Sequence, residues 1–294
     1  MLTMSFAIIA DTAANLPAAQ LAQRDIIAVP LEFYLDGVAH TCLSVDELDG
    51  EAFYASLGDK EIKTAQTTPQ KFYDVMQPLL REGRDILCFT LSSGISGTYA
   101  SACIAADMLH ETYPDRTVRV IDSMGASLGE GLLVLHACDC RDAGMSLAQT
   151  AEEVEKLVMR MCQVFTVDDL HFLRKGGRIS GAVAFVGTLL DFKPLLKGNE
   201  NGKIVMCGKV RGKKRAIAAM AEKYEALVEN PQTQRIGIAY AGHYEDAQAL
   251  EALLQKNKPP REILTVCYEP VTGIHVGPGA LALFFLGGDD VRTK

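Results

Sequence analysis

The sequence of 294 residues is 48% hydrophobic and 22% charged, so it can bury the cores of one large domain or two ordinary ones, and extensive disorder is excluded. Its formal net charge of −8 argues against a general nucleic-acid-binding role, because neutralising phosphates requires a basic face. The longest apolar runs, residues 182–190 and 280–286, are too short for a membrane span of ~20 residues, and residues 1–5 lack the basic region of a signal peptide. We therefore expect a cytoplasmic protein without stable membrane insertion.

The first half of the sequence alternates strand-like and helix-like segments. Strands are predicted at residues 6–10, 26–35, 86–91 and 118–121. Helices are predicted from Pro17, from the capping-box sequence at residues 44–47, over 70–81 after Thr68-Pro69, from Thr98 to about 110, over 131–141 and over 146–161. This alternation is typical of a parallel sheet that helices cover on both faces.

The second half mixes hairpin and helix signals. Asn201-Gly202 predicts a hairpin between two strands. Further strands are predicted at residues 162–167, 236–239, 263–268 and 281–286, and helices from Asp168 and over 213–228 and 245–256. We therefore predict an N-terminal α/β domain, residues 1–160, and a C-terminal α+β domain, residues 161–294.

The eight cysteines are typical of buried, reduced thiols. None forms a Cys-x-x-Cys pair, and Cys138 and Cys140 are the closest two along the chain. Most of the others lie in apolar runs, which disfavours a disulfide framework or a zinc site. We expect no bound metal and no cofactor.

The segment Ser92-Ser93-Gly94-Ile95-Ser96-Gly97-Thr98 follows a predicted buried strand and opens a helix. Backbone N–H groups and the positive end of the helix dipole meet at such a position, which suits an anion. Gly97 permits close backbone approach, and the hydroxyls of Ser96 and Thr98 add donors. These residues can equally serve only as helix caps. A serine hydrolase is disfavoured, because Thr98 replaces the second glycine of a Gly-x-Ser-x-Gly elbow.

Several segments, in this order, resemble the DegV family over about residues 6–286. They are residues 6–16 with Asp11, Lys63-Thr64-Ala65-Gln66, the loop at residues 92–99, Val120-Ile121-Asp122-Ser123, Lys175-Gly176-Gly177-Arg178-Ile179-Ser180 and His275-Val276-Gly277-Pro278-Gly279. The resemblance implies a two-domain α/β protein that binds a long-chain fatty acid between its domains. It also implies that the protein is not an enzyme by itself but presents the acid to a separate bacterial fatty acid kinase subunit, related to dihydroxyacetone kinases, for acyl-phosphate formation.

The resemblance also implies which residues hold the ligand. Thr64 and Ser96 correspond to the family's carboxylate-binding threonine and serine, with Gly97 and Thr98 beside them. Ala65 and Thr67 depart from the family's Ser and Pro, which removes one hydroxyl donor and puts the local loop shape in doubt. The opening Asp-Ser-x-x-Asp-Leu pattern is altered as well, to Asp-Thr-Ala-Ala-Asn-Leu at residues 11–16.

Arg178 and His275 are further candidates on the strength of the resemblance. An arginine after two glycines is usually a solvated loop residue, and a lone histidine is usually structural. The family pattern implies instead that both approach the acyl head, and that Arg178 lies near the docking face for the kinase. An enzyme acting on a small anionic substrate, with His275 as general acid or base, is the alternative. A regulatory module that its ligand merely stabilises is a third interpretation.

Three other features permit two interpretations each. The basic run at residues 209–215 is either a solvated surface or a docking patch for an acidic partner surface or a nucleotide phosphate. Asp11 and Asp122 end predicted strands, where turn and cap roles are more common than a paired-carboxylate site. The apolar residues 182–190 either line an acyl tunnel or form ordinary core.

Overall fold

The computed structural model describes residues 6–58, 60–179 and 192–293. Contacts divide the chain into two compact units, Met1–Glu47 with Glu61–Val158, and Leu48–Lys60 with Met159–Lys294. The segment Leu48–Lys60, which the sequence analysis assigned to the first domain, thus belongs to the second unit. One reason is that Tyr54 donates its hydroxyl to the carbonyl of Tyr268 at 2.9 Å.

The strands and helices are numbered in chain order over the described residues. The strands are β1 (Ala7–Asp11), β2 (Ile26–Val29), β3 (Glu32–Leu35), β4 (Val38–Thr41), β5 (Ile62–Ala65), β6 (Ile86–Thr90), β7 (Val118–Asp122), β8 (Met161–Thr166), β9 (Phe192–Gly198), β10 (Ile204–Arg211), β11 (Arg235–Tyr240), β12 (Glu262–Cys267) and β13 (Leu281–Leu286). The helices are α1 (Ala18–Gln23), α2 (Gly50–Ser56), α3 (Pro69–Arg81), α4 (Thr98–Thr112), α5 (Leu128–Asp142), α6 (Leu147–Val158), α7 (His171–Lys175), α8 (Lys213–Leu227), α9 (Tyr244–Asn257) and α10 (Pro270–Val276).

The first unit is built on a parallel sheet with the order β2-β1-β6-β7. Ile9 and Cys88, paired across β1 and β6, join the core that packs against α3 and α4. Their neighbours Ile8 and Leu87 point to the other face, because side chains alternate along a strand, and α5 and α6 contact that sheet as well. The predicted parallel sheet with helices on both faces is confirmed.

The predicted strand at residues 26–35 is wrong as a single element. It is split at Pro30: β2 joins the parallel sheet, whereas β3 joins a separate antiparallel sheet with the order β4-β3-β5. Proline has no N–H for a ladder and interrupts strands that need one. Leu31, between the two strands, donates its N–H to the Thr12 hydroxyl at 3.0 Å.

Two helix predictions also differ from the structure. The capping-box sequence at residues 44–47 forms only a short 3-10 turn, and α2 begins at Gly50 with Asp49 accepting the Ala52 N–H at 3.1 Å. The segment around His275, for which no helix was predicted, contains α10, which Pro270 opens and Glu269 caps. By contrast, α3 begins as predicted, with Thr68 accepting the Lys71 N–H at 3.4 Å.

The second unit contains a six-stranded mixed sheet with the order β10-β9-β8-β13-β11-β12. Only the β11–β12 pair is parallel within this described sheet, and β9 and β10 form the predicted hairpin around Asn201-Gly202. Helices α8 and α9 pack on the sheet and share its apolar core. The predicted mixed α+β character of this part of the chain is confirmed. In the described residues, no helix combines the length and apolarity needed to cross a membrane.

Candidate functional site

Two aspartates hold the loop that joins β6 to α4. The Asp11 carboxylate accepts the N–H groups of Ala13 at 2.8 Å and Leu91 at 2.9 Å. Asp122, at the end of β7, accepts the N–H groups of Ser93 at 3.2 Å and Met124 at 2.9 Å. Both carboxylates therefore organise turns at the carboxyl end of the sheet, in agreement with the interpretation of these residues as turn and cap residues.

Inside the loop, hydroxyl groups gather at the start of α4. The Ser92 hydroxyl accepts the Gly94 N–H at 3.1 Å, and the Ser92 carbonyl accepts the Ser96 N–H at 3.1 Å. The hydroxyls of Ser96 and Thr98 lie 3.0 Å apart, and the Thr98 N–H lies 3.3 Å from the Ser96 oxygen. Ser96 is half-buried and Thr98 is fully buried, so only the serine is positioned to meet a ligand directly.

The segment that carries Thr64 reaches this loop through Gln66. A Cβ atom on Gly97 would lie 2.0 Å from Gln66 Oε1, so the side-chain amide occupies the space that any larger residue would fill. Gln66 Nε2 also points to the Ser101 hydroxyl at 3.5 Å. Thr64 lies on β5 and is half-buried. It precedes Gln66 by two residues, so the Cα atoms of the two residues lie within ~7 Å of each other. The Thr64 segment and the Ser96 loop are thus adjacent.

The N-terminus of α4 favours an anion. Helix α4 is 15 residues long and has no acidic residue in its first turn. The first four N–H groups of a helix have no intrahelical acceptor, and its dipole places about half a positive charge there. A carboxylate near Ser96 would therefore meet hydroxyl donors, main-chain donors and a favourable potential together.

In the second unit the structure brings Arg178 and His275 together around Gly176. A Cβ atom on Gly176 would lie 2.3 Å from His275 Nδ1, so the imidazole packs directly on the glycine backbone. The Arg178 guanidinium donates to the Gly176 carbonyl. The side chain of Phe172, on α7, packs in the same way on Gly277, where a Cβ would lie 2.4 Å from the ring. The ring thereby fixes the end of α10.

Burial and charge keep the His275 imidazole neutral. Desolvation, with a smaller contribution from the positive charge of Arg178, lowers the pKa of His275 to about 4. Burial also lowers the pKa of Arg178 from its ordinary value. At the other end of α10, burial raises the pKa of Glu269 to about 7, although its carboxylate accepts the N–H groups of Val271 and Thr272, each at 2.6 Å. Near pH 7 a neutral imidazole donates or accepts a hydrogen bond but supplies no positive charge.

The sequence analysis missed the contributions of Gln66 and Gly176. Both lie within segments that resemble the family, yet neither residue type signals a ligand site by itself. Their roles depend on contacts with residues that are distant in the sequence. Ser180 of the resemblance and the apolar residues 182–190, which were considered as a tunnel lining, lie outside the described residues.

These features define a protein of two α/β units whose first unit carries an anion-binding loop at a helix N-terminus. The model of the DegV family matches residues 5–287, and the chain belongs to this family. A DegV domain-containing protein of Clostridium perfringens is 35% identical over 283 residues, which are 96% of this chain and 97% of that protein.

Two solved structures show the same fold. A DegV family protein from Thermus thermophilus, described by its fatty acid binding, has a TM-score of 0.86 and 30% identity, covering 97% of this chain and 100% of that one. A DegV family protein from Ruminococcus gnavus, refined with vaccenic acid, has a TM-score of 0.87 and 25% identity, covering 96% and 99%. The solved relatives are thus described by the fatty acids they bind, in line with the expectation of a binding protein.

Proposed function

We propose that this chain binds a long-chain fatty acid and presents its carboxylate to a separate fatty acid kinase subunit. The observation that carries the proposal is the cluster of Ser96 and Thr98 hydroxyls at the N-terminus of α4, joined to the Thr64 segment by the contact between Gln66 and Gly97. Fatty-acid ligands in relatives with the same fold support it.

In this proposal Thr64 and Ser96 donate hydrogen bonds to the carboxylate, and Gly97 allows its close approach. Thr98, whose N–H donates to the Ser96 oxygen, supports the Ser96 hydroxyl. Hydrogen bonds to a charged group contribute about 1.5–3 kcal/mol each. Burial of ~14 methylenes at about 0.8 kcal/mol each contributes up to about 11 kcal/mol before association costs. The head group therefore sets orientation and the tail sets most of the affinity.

Arg178 and His275 are proposed to act on the acyl head and on kinase docking. Their proximity to each other around Gly176, and the neutral state of the imidazole, support a hydrogen-bonding role for His275. A guanidinium that is partly desolvated is well suited to recognise a carboxylate or an acyl phosphate. The expected product of the kinase step is an acyl phosphate.

The ligand is tested by removing bound lipid and titrating the protein with a long-chain acid, with the alcohol of equal chain length as the uncharged control. We expect saturable one-to-one uptake of the acid and weaker uptake of the alcohol. Thr64→Val and Ser96→Ala should each weaken binding of the acid by about tenfold or more while leaving alcohol binding nearly unchanged. Failure of the unmodified protein to take up any long-chain acid would refute the proposal.

The kinase step has its own test. The loaded protein is incubated with ATP and a fatty acid kinase subunit, and acyl phosphate is trapped with hydroxylamine. Arg178→Ala should reduce trapped product more than it reduces lipid binding, whereas Arg174→Ala, an exposed arginine on α7, should change neither. Equal product yield from the Arg178 variant and the unmodified protein would contradict a docking role.

The alternative of an enzyme with His275 as general acid or base is less well supported. With a pKa of about 4 the imidazole is neutral near pH 7, so it is a poor general acid and only a weak general base there. We therefore retain the binding role.

A further inference from the structure

Lys213 differs from the other basic residues of the run at residues 209–215. Lys209, Arg211, Lys214 and Arg215 are exposed, whereas the side chain of Lys213 is only 21% exposed. Lys213 therefore does not belong to the exposed surface that the other basic residues of the run form.

The Lys213 ammonium lies among three oxygen acceptors from separate segments of the second unit. Its Nζ atom is 2.9 Å from the carboxylate of Asp168, which follows β8, and 3.3 Å from that of Asp246 on α9. It also donates to the carbonyl of Gly279, which follows α10. Lys193, on β9, adds a second ammonium 2.8 Å from Asp168.

Gly279 is the point at which this network meets the end of α10. Its φ angle is +74°, and a Cβ atom there would lie 2.2 Å from Asp168 Oδ2, so the carboxylate packs on the glycine itself. Lys213 thus binds the carbonyl of Gly279 and also the Asp168 carboxylate, which packs where a side chain of residue 279 would lie. Gly279 follows His275 by four residues, and His275 lies in the last turn of α10. The network therefore fixes the segment that directly follows this helix.

The position of Lys213 has an electrostatic cost that its contacts offset. It is the first residue of α8, where a positive charge opposes the helix dipole. Burial raises the pKa of Asp168, but hydrogen bonds from Lys193 and Lys213 outweigh burial and bring that pKa below its ordinary value. The carboxylates of Asp168 and Asp246 therefore offset the unfavourable position of the Lys213 ammonium at the helix N-terminus.

We propose that Lys213 is a positioning residue that, with Asp168, fixes the segment after α10 and thereby the orientation of the His275 imidazole. The link to the ligand rests on the proposed function, whereas the link to His275 does not. Lys213 is thus a structural member of the basic run, whereas Lys209, Arg211, Lys214 and Arg215 are its exposed members.

The test compares Lys213→Met with Lys214→Met, an exposed neighbour that loses the same charge, and with Lys213→Arg. The imidazole resonances of the lipid-free protein are recorded by NMR, and His275→Gln identifies the His275 signal among those of the six histidines. Affinity for a long-chain acid and the thermal unfolding midpoint are measured on the same samples.

We expect Lys213→Met to move the His275 resonances and to weaken acid binding by about tenfold, with Lys213→Arg restoring most of both and Lys214→Met changing neither. If Lys213→Met fails to fold, Asp246→Asn, which removes a single ion pair, is expected to give the same shift at smaller amplitude. An unmoved His275 signal in the folded variant overturns the inference. If no variant binds a long-chain acid but the His275 signal still moves, the proposed function fails and the positioning role stands.

Discussion

Replacing Gly97 by alanine tests the contact that joins the two halves of the proposed carboxylate site. The added Cβ would lie 2.0 Å from Gln66 Oε1 and 2.8 Å from its Cδ, whereas real Cβ contacts are essentially never below 3.0 Å. The Gln66 amide must therefore move by about 1 Å. A displacement of that size, passed to Thr64 or Ser96, would break one of the proposed hydrogen bonds to the carboxylate, worth about 1.5–3 kcal/mol.

We expect Gly97→Ala to weaken fatty-acid binding by about tenfold, at the lower end of that range. Gln66 is an exposed, flexible side chain, and it will absorb part of the displacement. Stability should change by less than about 1 kcal/mol, because the φ of −82° and ψ of 3° at Gly97 are accessible to alanine. Affinity is measured by displacement of a fluorescent fatty acid, and stability by thermal unfolding.

The same substitution in a Gln66→Ala background is the matched control. With the amide removed, the new methyl group meets no obstacle from Gln66, so Gly97→Ala should then cost less than about twofold in affinity. An equal loss in both backgrounds would show that the effect does not pass through Gln66. No loss in either background would show that the spacing of the Thr64 segment and the Ser96 loop does not matter for binding.

The remaining predictions concern the second unit. Gly176→Ala would place a Cβ 2.3 Å from His275 Nδ1, so we expect it to displace the imidazole, visible as a shifted NMR resonance, while Gly177→Ala, with open space around it but a φ of +69°, should lower stability without moving His275. Because the pKa of His275 falls from 6.5 to about 4 on folding, the unfolded chain binds the extra proton and this group lowers stability as pH drops from 6.5 to 4; His275→Gln should remove that loss in acid unfolding curves. Glu269 has the opposite sign, since its pKa rises from 4.5 to about 7 on folding, so its contribution is present below pH 4.5 and is lost as pH rises through 7; Glu269→Gln should flatten stability over that window, and an unchanged slope would contradict the burial of its carboxyl.

Locally encoded elements could be predicted from the sequence. Thr68 and Pro69 supply the cap and the first residue of α3, so its start needs no tertiary information. Asn201-Gly202 similarly specifies the hairpin between β9 and β10. These signals act within a few residues, and the structure follows them.

The start of α2 and the presence of α10 were missed because local sequence signals were overridden by other contacts. At residues 44–47 the capping box is present, but Glu47 accepts the N–H of Leu43 at 3.1 Å instead of the N–H of Ser44, and Asp49 provides the cap that α2 uses. Helix α10 was missed because Gly273 lowers its helix propensity. That glycine is required because a Cβ there would lie 1.7 Å from the Tyr54 hydroxyl, a contact that no local pattern reveals.

The candidate residues themselves were found through the resemblance, whereas their supports were found only in the structure. In the first unit Gln66 fills the side-chain space of Gly97, and in the second unit His275 fills that of Gly176. In each case a glycine allows a side chain from a distant segment to touch the backbone. The position of the functional side chain is therefore set jointly by two segments, and substituting the glycine perturbs that position while leaving every proposed ligand-binding group present. Such variants separate the geometry of the site from its chemistry, which substitution of Thr64, Ser96 or His275 cannot do.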